Sequence, residues 1–287
     1  MPPSCAGLPE TCGARSDESC CAGTKSPGGA FNRDNDVKYP SVVSEFVLDK
    51  FELTVGRFRK FVEAYPGSKP ILGAGAHPKI EGSGWDTSWE GELPTDAAAL
   101  KTAIKCDISE HTWTDEIGDH ENLPNNCLSW YVAFAFCAWD GGRLPTEAEW
   151  NYAAAGGEEQ RPYPWSSSSM DDRIDASHAV YDCLGDGSAF GVCAFSDIQR
   201  VGSRSMTGDG KWGQADLAGN MWEWTMDRYA DYMVPCDDCA NITSQSNPAI
   251  RGGSWNNAAS NLFSKFRTYE VPSSRQVTIG ARCARSL

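Results

Sequence analysis

The chain has 287 residues, with 39 acidic against 25 basic side chains and a formal charge of −14 at pH 7. That balance excludes a nucleic-acid partner, because phosphate-binding surfaces need clustered Lys and Arg. Forty per cent of the chain is hydrophobic, enough for a sizeable core, yet no apolar run approaches the roughly 20 residues needed to cross a bilayer.

The four cysteines at 5, 12, 20 and 21, set among Gly, Pro and Ser, mark residues 1–31 as a Cys-rich leader without helix or strand. The main domain is then 32–287. Partial alternation of Val43, Phe46, Leu48 and Phe51 predicts a strand over Val42 to Glu52. Thr54 caps a helix carrying Phe58, Phe61, Val62 and Tyr65, which Pro66-Gly67 ends. A short helix follows from Asp96 to Cys106, and an amphipathic one over Trp130 to Trp139. Thr146 and Glu149 have capping-box spacing, so a third long helix opens there, with Trp150, Ala153 and Ala154 on one face. From about 158 onward, Gly, Asp, Ser and Asn leave short strands and long loops. The fold class is α+β, low in regular structure and pinned by disulfides.

The chain holds twelve cysteines and four histidines. One Cys-x-x-Cys without a second pair or a nearby His does not make a zinc site, so disulfides explain the set. They imply an oxidising compartment, secreted or at the cell surface, although Met1 to Cys5 begins no visible signal peptide. Sequence proximity pairs Cys106 with Cys127, Cys183 with Cys193, Cys236 with Cys239, and the four N-terminal cysteines among themselves. The histidines at 77, 111, 120 and 178 contain no metal-binding spacing.

Three blocks carry a family likeness: Gly142-Arg143-Leu144-Pro145-Thr146-Glu147-Ala148-Glu149-Trp150, Asp216-Leu217-Ala218-Gly219-Asn220-Met221-Trp222-Glu223-Trp224, and Arg251-Gly252-Gly253-Ser254-Trp255 with a closing Gly280-Ala281-Arg282-Cys283. With Leu48 to Gly56 as an opening strand and helix start, they resemble the formylglycine-generating enzyme, or sulfatase-modifying factor, family. The resemblance implies a single compact domain with a variant C-type-lectin fold. It also implies a bridge between Cys137 and Cys283. A structural calcium would be held by the Asp216 side chain, the carbonyls of Gly219 and Met221, and the Glu223 carboxylate, hard oxygen ligands of the kind calcium prefers.

The family's oxidase chemistry needs copper(I) on two thiolates, and the matching positions here are Asn257 and Leu262. Neither side chain can hold a soft cation, so no copper is expected and catalytic residues are absent. The favoured function is an exported non-catalytic binding or surface module. Its loop surface over 255–269, with Trp222, Ser254, Trp255, Asn257 and Asn261, would meet a protein or glycan ligand at the cell surface. The alternative is an oxygen-dependent oxidase of the formylglycine-generating type, or another metal-dependent oxidoreductase, with unrecognised ligands.

Overall fold

The computed structural model describes residues 1–106, 109–188 and 192–287. The N-terminal segment departs from the irregular leader expected of it. After a 3-10 turn at Pro3–Cys5 it forms β1 (Glu10–Cys12), β2 (Glu18–Ser19), β3 (Gly23–Ser26) and β4 (Gly29–Asn32). Disulfides Cys5–Cys21 and Cys12–Cys20 staple the β1–β2 hairpin. Strands of two to four residues are too short to show a period-two pattern, and β3 and β4 take their partners from beyond the segment.

The strand expected over 42–52 is two, β5 (Pro40–Val43) and β6 (Phe46–Asp49), broken at Ser44-Glu45. Val43, Phe46, Leu48 and Phe51 are all buried, as their alternation predicts. α1 (Val55–Ala64) starts where Thr54 Oγ1 accepts the Arg57 N–H at 3.2 Å. α2 (Ala97–Ala103) is capped by Asp96, which accepts the Ala99 N–H at 2.8 Å. α3 (Trp130–Trp139) is not amphipathic: its residues are buried almost all round, because the helix packs on both α1 and the main sheet. α4 (Glu147–Ala155) has both capping-box bonds between Thr146 and Glu149, and Gly156 ends it at φ +65°.

The remaining strands are β7 (Trp222–Arg228), β8 (Cys236–Asp237), β9 (Pro248–Arg251), β10 (Arg267–Tyr269), β11 (Ile279–Gly280) and β12 (Ala284–Ser286). They complete three sheets of order β10-β9-β7-β11, β12-β6-β3 and β4-β5-β8. The β12-β6-β3 sheet joins both ends of the chain, so residues 1–31 contribute a strand to the body of the protein.

Six disulfides use all twelve cysteines and leave none free. They include Cys106–Cys127, Cys183–Cys193, Cys236–Cys239 and Cys137–Cys283, as expected. A chain so bridged fits an oxidising compartment. Among the described residues no helix is long and apolar enough to cross a membrane.

Candidate functional site

The segment from Asp216 to Met221 turns sharply before it enters β7. Asp216 and Asn220 lie in the left-handed region (φ 56° and 60°), and Gly219 between them has φ 87°. A Cβ on Gly219 would sit 2.2 Å from the Val180 carbonyl oxygen, so the bend needs glycine. β7 then alternates as expected. Trp222 and Trp224 pack into the main core, and Glu223 points to the opposite side.

Glu223 is fully buried and paired with Arg282, itself fully buried. Arg282 Nη2 donates to Glu223 Oε1 at 2.6 Å, Arg282 Nε reaches both oxygens at 2.8 Å, and Trp150 Nε1 donates to Oε2 at 2.8 Å. Asp216 Oδ2 accepts the Gly202 N–H at 2.5 Å. A third carboxylate, Glu52, belongs to this region although the sequence motif did not single it out. It accepts from the Met221 N–H at 2.9 Å and from Asn220 Nδ2 at 2.6 Å. Asn220 also holds Gln199 and, through its carbonyl, the Trp255 N–H.

Three buried carboxylates therefore share one guanidinium. Burial, followed by the neighbouring charges of Asp216 and Glu223, pushes the Glu52 carboxyl well above its usual range. Burial raises Asp216 to about 6. This excess of negative charge fits a cation, and the bent 216–221 backbone is the kind of segment whose carbonyls calcium uses. Among the described residues, no three His, Cys, Asp or Glu side chains converge as a metal site. Any cation here must accordingly draw on carbonyl oxygens and share Glu223 with Arg282.

The segment after Arg251 is organised differently. Ser254 is fully buried, and its N–H and Oγ both donate to Asn257 Oδ1, at 3.0 and 2.7 Å. Asn257 is half-buried and shapes this turn. Leu262 is fully buried with Tyr163, Ala179, Tyr181 and Ala218. Trp255 is 3% exposed, packed with Val180, Cys183, Ile198 and Met221, and Trp222 is 7% exposed against Phe266. The expected five-residue recognition surface is thus corrected. Ser254 and Trp255 belong to the interior because the turn folds them under it, and Trp222 because β7 packs it on the main core. Asn257 and Asn261 are half-buried, and the exposed residues are Asn256, Ala258, Ser260, Lys265 and Tyr269.

The histidines serve separate places. His77 lies beside Glu149, His120 stacks on Phe195, and His178 stacks on Trp165.

The profile of the sulfatase-modifying factor enzyme 1-like domain matches residues 15–287. The chain belongs to the sulfatase-modifying factor family. The match begins inside the N-terminal segment, in keeping with the strand that this segment gives to the body. The inactive C-alpha-formylglycine-generating enzyme 2 of Bos taurus is 28% identical, over 91% of this chain and 83% of that protein. The formylglycine-generating enzyme of Mus musculus is 26% identical, over 84% of this chain and 66% of that protein. Among solved structures, PvdO from Pseudomonas aeruginosa superposes with a TM-score of 0.62 at 22% identity, covering 92% of this chain and 93% of that one. Treponema denticola variable protein 1 superposes with a TM-score of 0.58 at 18% identity, covering 91% and 94%. Both share the α+β fold of this family member.

Proposed function

We propose that this protein is an exported, non-catalytic member of the family that acts as a binding module at the cell surface, with a protein or glycan as ligand. The observation that carries the reading is the fate of the two copper positions. Asn257 is consumed by Ser254, and Leu262 fills the core where a thiolate would be needed. Every cysteine is in a disulfide, so no free thiolate stands elsewhere in the chain. The likeness to a relative named inactive supports the same reading.

The binding surface in this proposal is the outer face of 255–269, carried by Asn256, Asn257, Ser260, Asn261 and Tyr269. Polar amides beside an aromatic ring suit polar ligands, and loops on a rigid scaffold commonly carry recognition. Calcium is proposed as a structural ion on Asp216, Glu223 and the carbonyls of Gly219 and Met221. It would neutralise the carboxylates that Arg282 alone cannot balance.

An anaerobic copper(I) titration against a competing chelator tests the non-catalytic reading. No competition for copper(I) is expected, and tight one-to-one binding overturns it. A glycan and protein ligand screen of the wild type and of Asn256→Ala with Asn261→Ala tests the surface. Equal retention of a captured ligand by that variant places recognition elsewhere.

A further inference from the structure

The N-terminal segment builds one wall of a cavity that takes none of its lining from the 142–150, 216–224 or 251–255 blocks. Its volume is about 200 Å³, and it lies between that segment, the start of α1 and the loop at 117–122. The polar groups around it are already engaged. Thr11 Oγ1 donates to Asn122 Oδ1 at 2.9 Å, and Asn122 Nδ2 donates back to the Thr11 carbonyl at 2.9 Å. Thr54 Oγ1 accepts from Arg57 N–H. The charges are paired as well, Arg59 with Glu121 at 3.1 Å and Lys60 with Glu63 at 3.1 Å.

What is left to face the space is hydrocarbon from Leu8, Pro9, Ile117 and the stems of Arg59 and Lys60, with no aromatic ring in the wall. Ile117 is 76% exposed at its edge, a large side chain with nothing covering it. Disulfides Cys5–Cys21 and Cys12–Cys20 hold the N-terminal wall in place. A small apolar pocket gains from an alkyl chain, because the water the chain displaces finds few partners on its hydrocarbon lining. A wall without an unpaired charge offers nothing to an ionic head group.

We infer that this cavity is a binding site for the alkyl chain of an uncharged aliphatic ligand. Affinity should follow buried methylene count, at about fourfold per methylene until the space is filled.

The test titrates the oxidised full chain with 1-butanol, 1-hexanol and 1-octanol, and with hexanoate and hexylammonium, by ligand-observed NMR. Saturable binding that tightens with chain length and favours hexanol over both ions is expected. Ile117→Glu sets a charge at the mouth on an already exposed residue, so folding is spared, and it should weaken hexanol by at least about tenfold. Leu8→Trp fills the space and should block binding. Affinity independent of chain length, tighter binding of either ion, or hexanol binding unchanged by Ile117→Glu overturns the inference.

Discussion

Two regions side by side show how this family member is built. Around Glu223 the motif residues are present and the interior is over-supplied with negative charge, three carboxylates to one guanidinium. Between Gly253 and Leu262 the local structure closes on itself. Asn257 satisfies Ser254, and Leu262 fills the space beneath Gly253, where even a Cβ would come within 2.5 Å of its Cδ1. The first region rests on buried charge. The second rests on hydrogen bonds and packing. The same scaffold can therefore keep its charge-bearing framework while its reactive segment becomes ordinary packing, since the two are held by different interactions.

The comparison is broken most severely at Arg282. Arg282→Met leaves Glu223 buried without its partner and should destabilise by about 3–5 kcal/mol, read from chemical denaturation. A loss under 1 kcal/mol would mean that Glu223 is already neutralised by something else. Leu262→Ala should lower stability by about 3 kcal/mol through the cavity it opens. Were the 254–262 segment held only by its hydrogen bonds, this change would be nearly silent.

Calcium comes next in size. Exhaustive chelation at pH 7.5 should lower the melting temperature, and an unchanged melt removes the ion from the account. In the chelated protein the sign of the pH effect follows from the raised carboxyls. Asp216 moves from 3.8 unfolded to about 6 folded. Its proton is held more tightly in the fold, so its stabilising contribution is full below about pH 4 and is lost as pH rises through 6. Glu52 shifts in the same direction. The chelated protein should therefore melt higher at pH 5 than at pH 7, while added calcium should raise the melt at pH 7 far more than at pH 5. A smaller effect is expected for Asn257→Ala, about 1 kcal/mol, because it leaves the Ser254 N–H without its acceptor while Ser254 Oγ keeps Asn256 Oδ1 at 3.0 Å. Asn261→Ala, whose side chain makes no hydrogen bond among the described residues, should change stability by under about 0.5 kcal/mol.

Local signals were strong where the physics is local. The caps at Thr54 and Thr146 and the helices they open involve residues within a turn of one another, and they were legible. The near-neighbour disulfides were legible for the same reason, and the family blocks pointed to Asp216, Glu223 and the Cys137–Cys283 bridge. The strands at 10–32 were not, because β1 and β2 are too short to show a pattern and β3 and β4 are defined by pairing with β6 and β5. α3 read as amphipathic, since composition cannot show that both its faces meet partners.

The sequence by itself determined the family, the helix starts, the loss of the thiolate pair and the oxidising chemistry of the cysteines, each resting on residue identity or short spacing. Only the tertiary structure decided that Trp222, Ser254 and Trp255 are interior, that Glu52 and Arg282 join Asp216 and Glu223, and that residues 1–31 belong to the body. Those outcomes depend on which distant segments meet, and burial and charge balance are properties of that meeting.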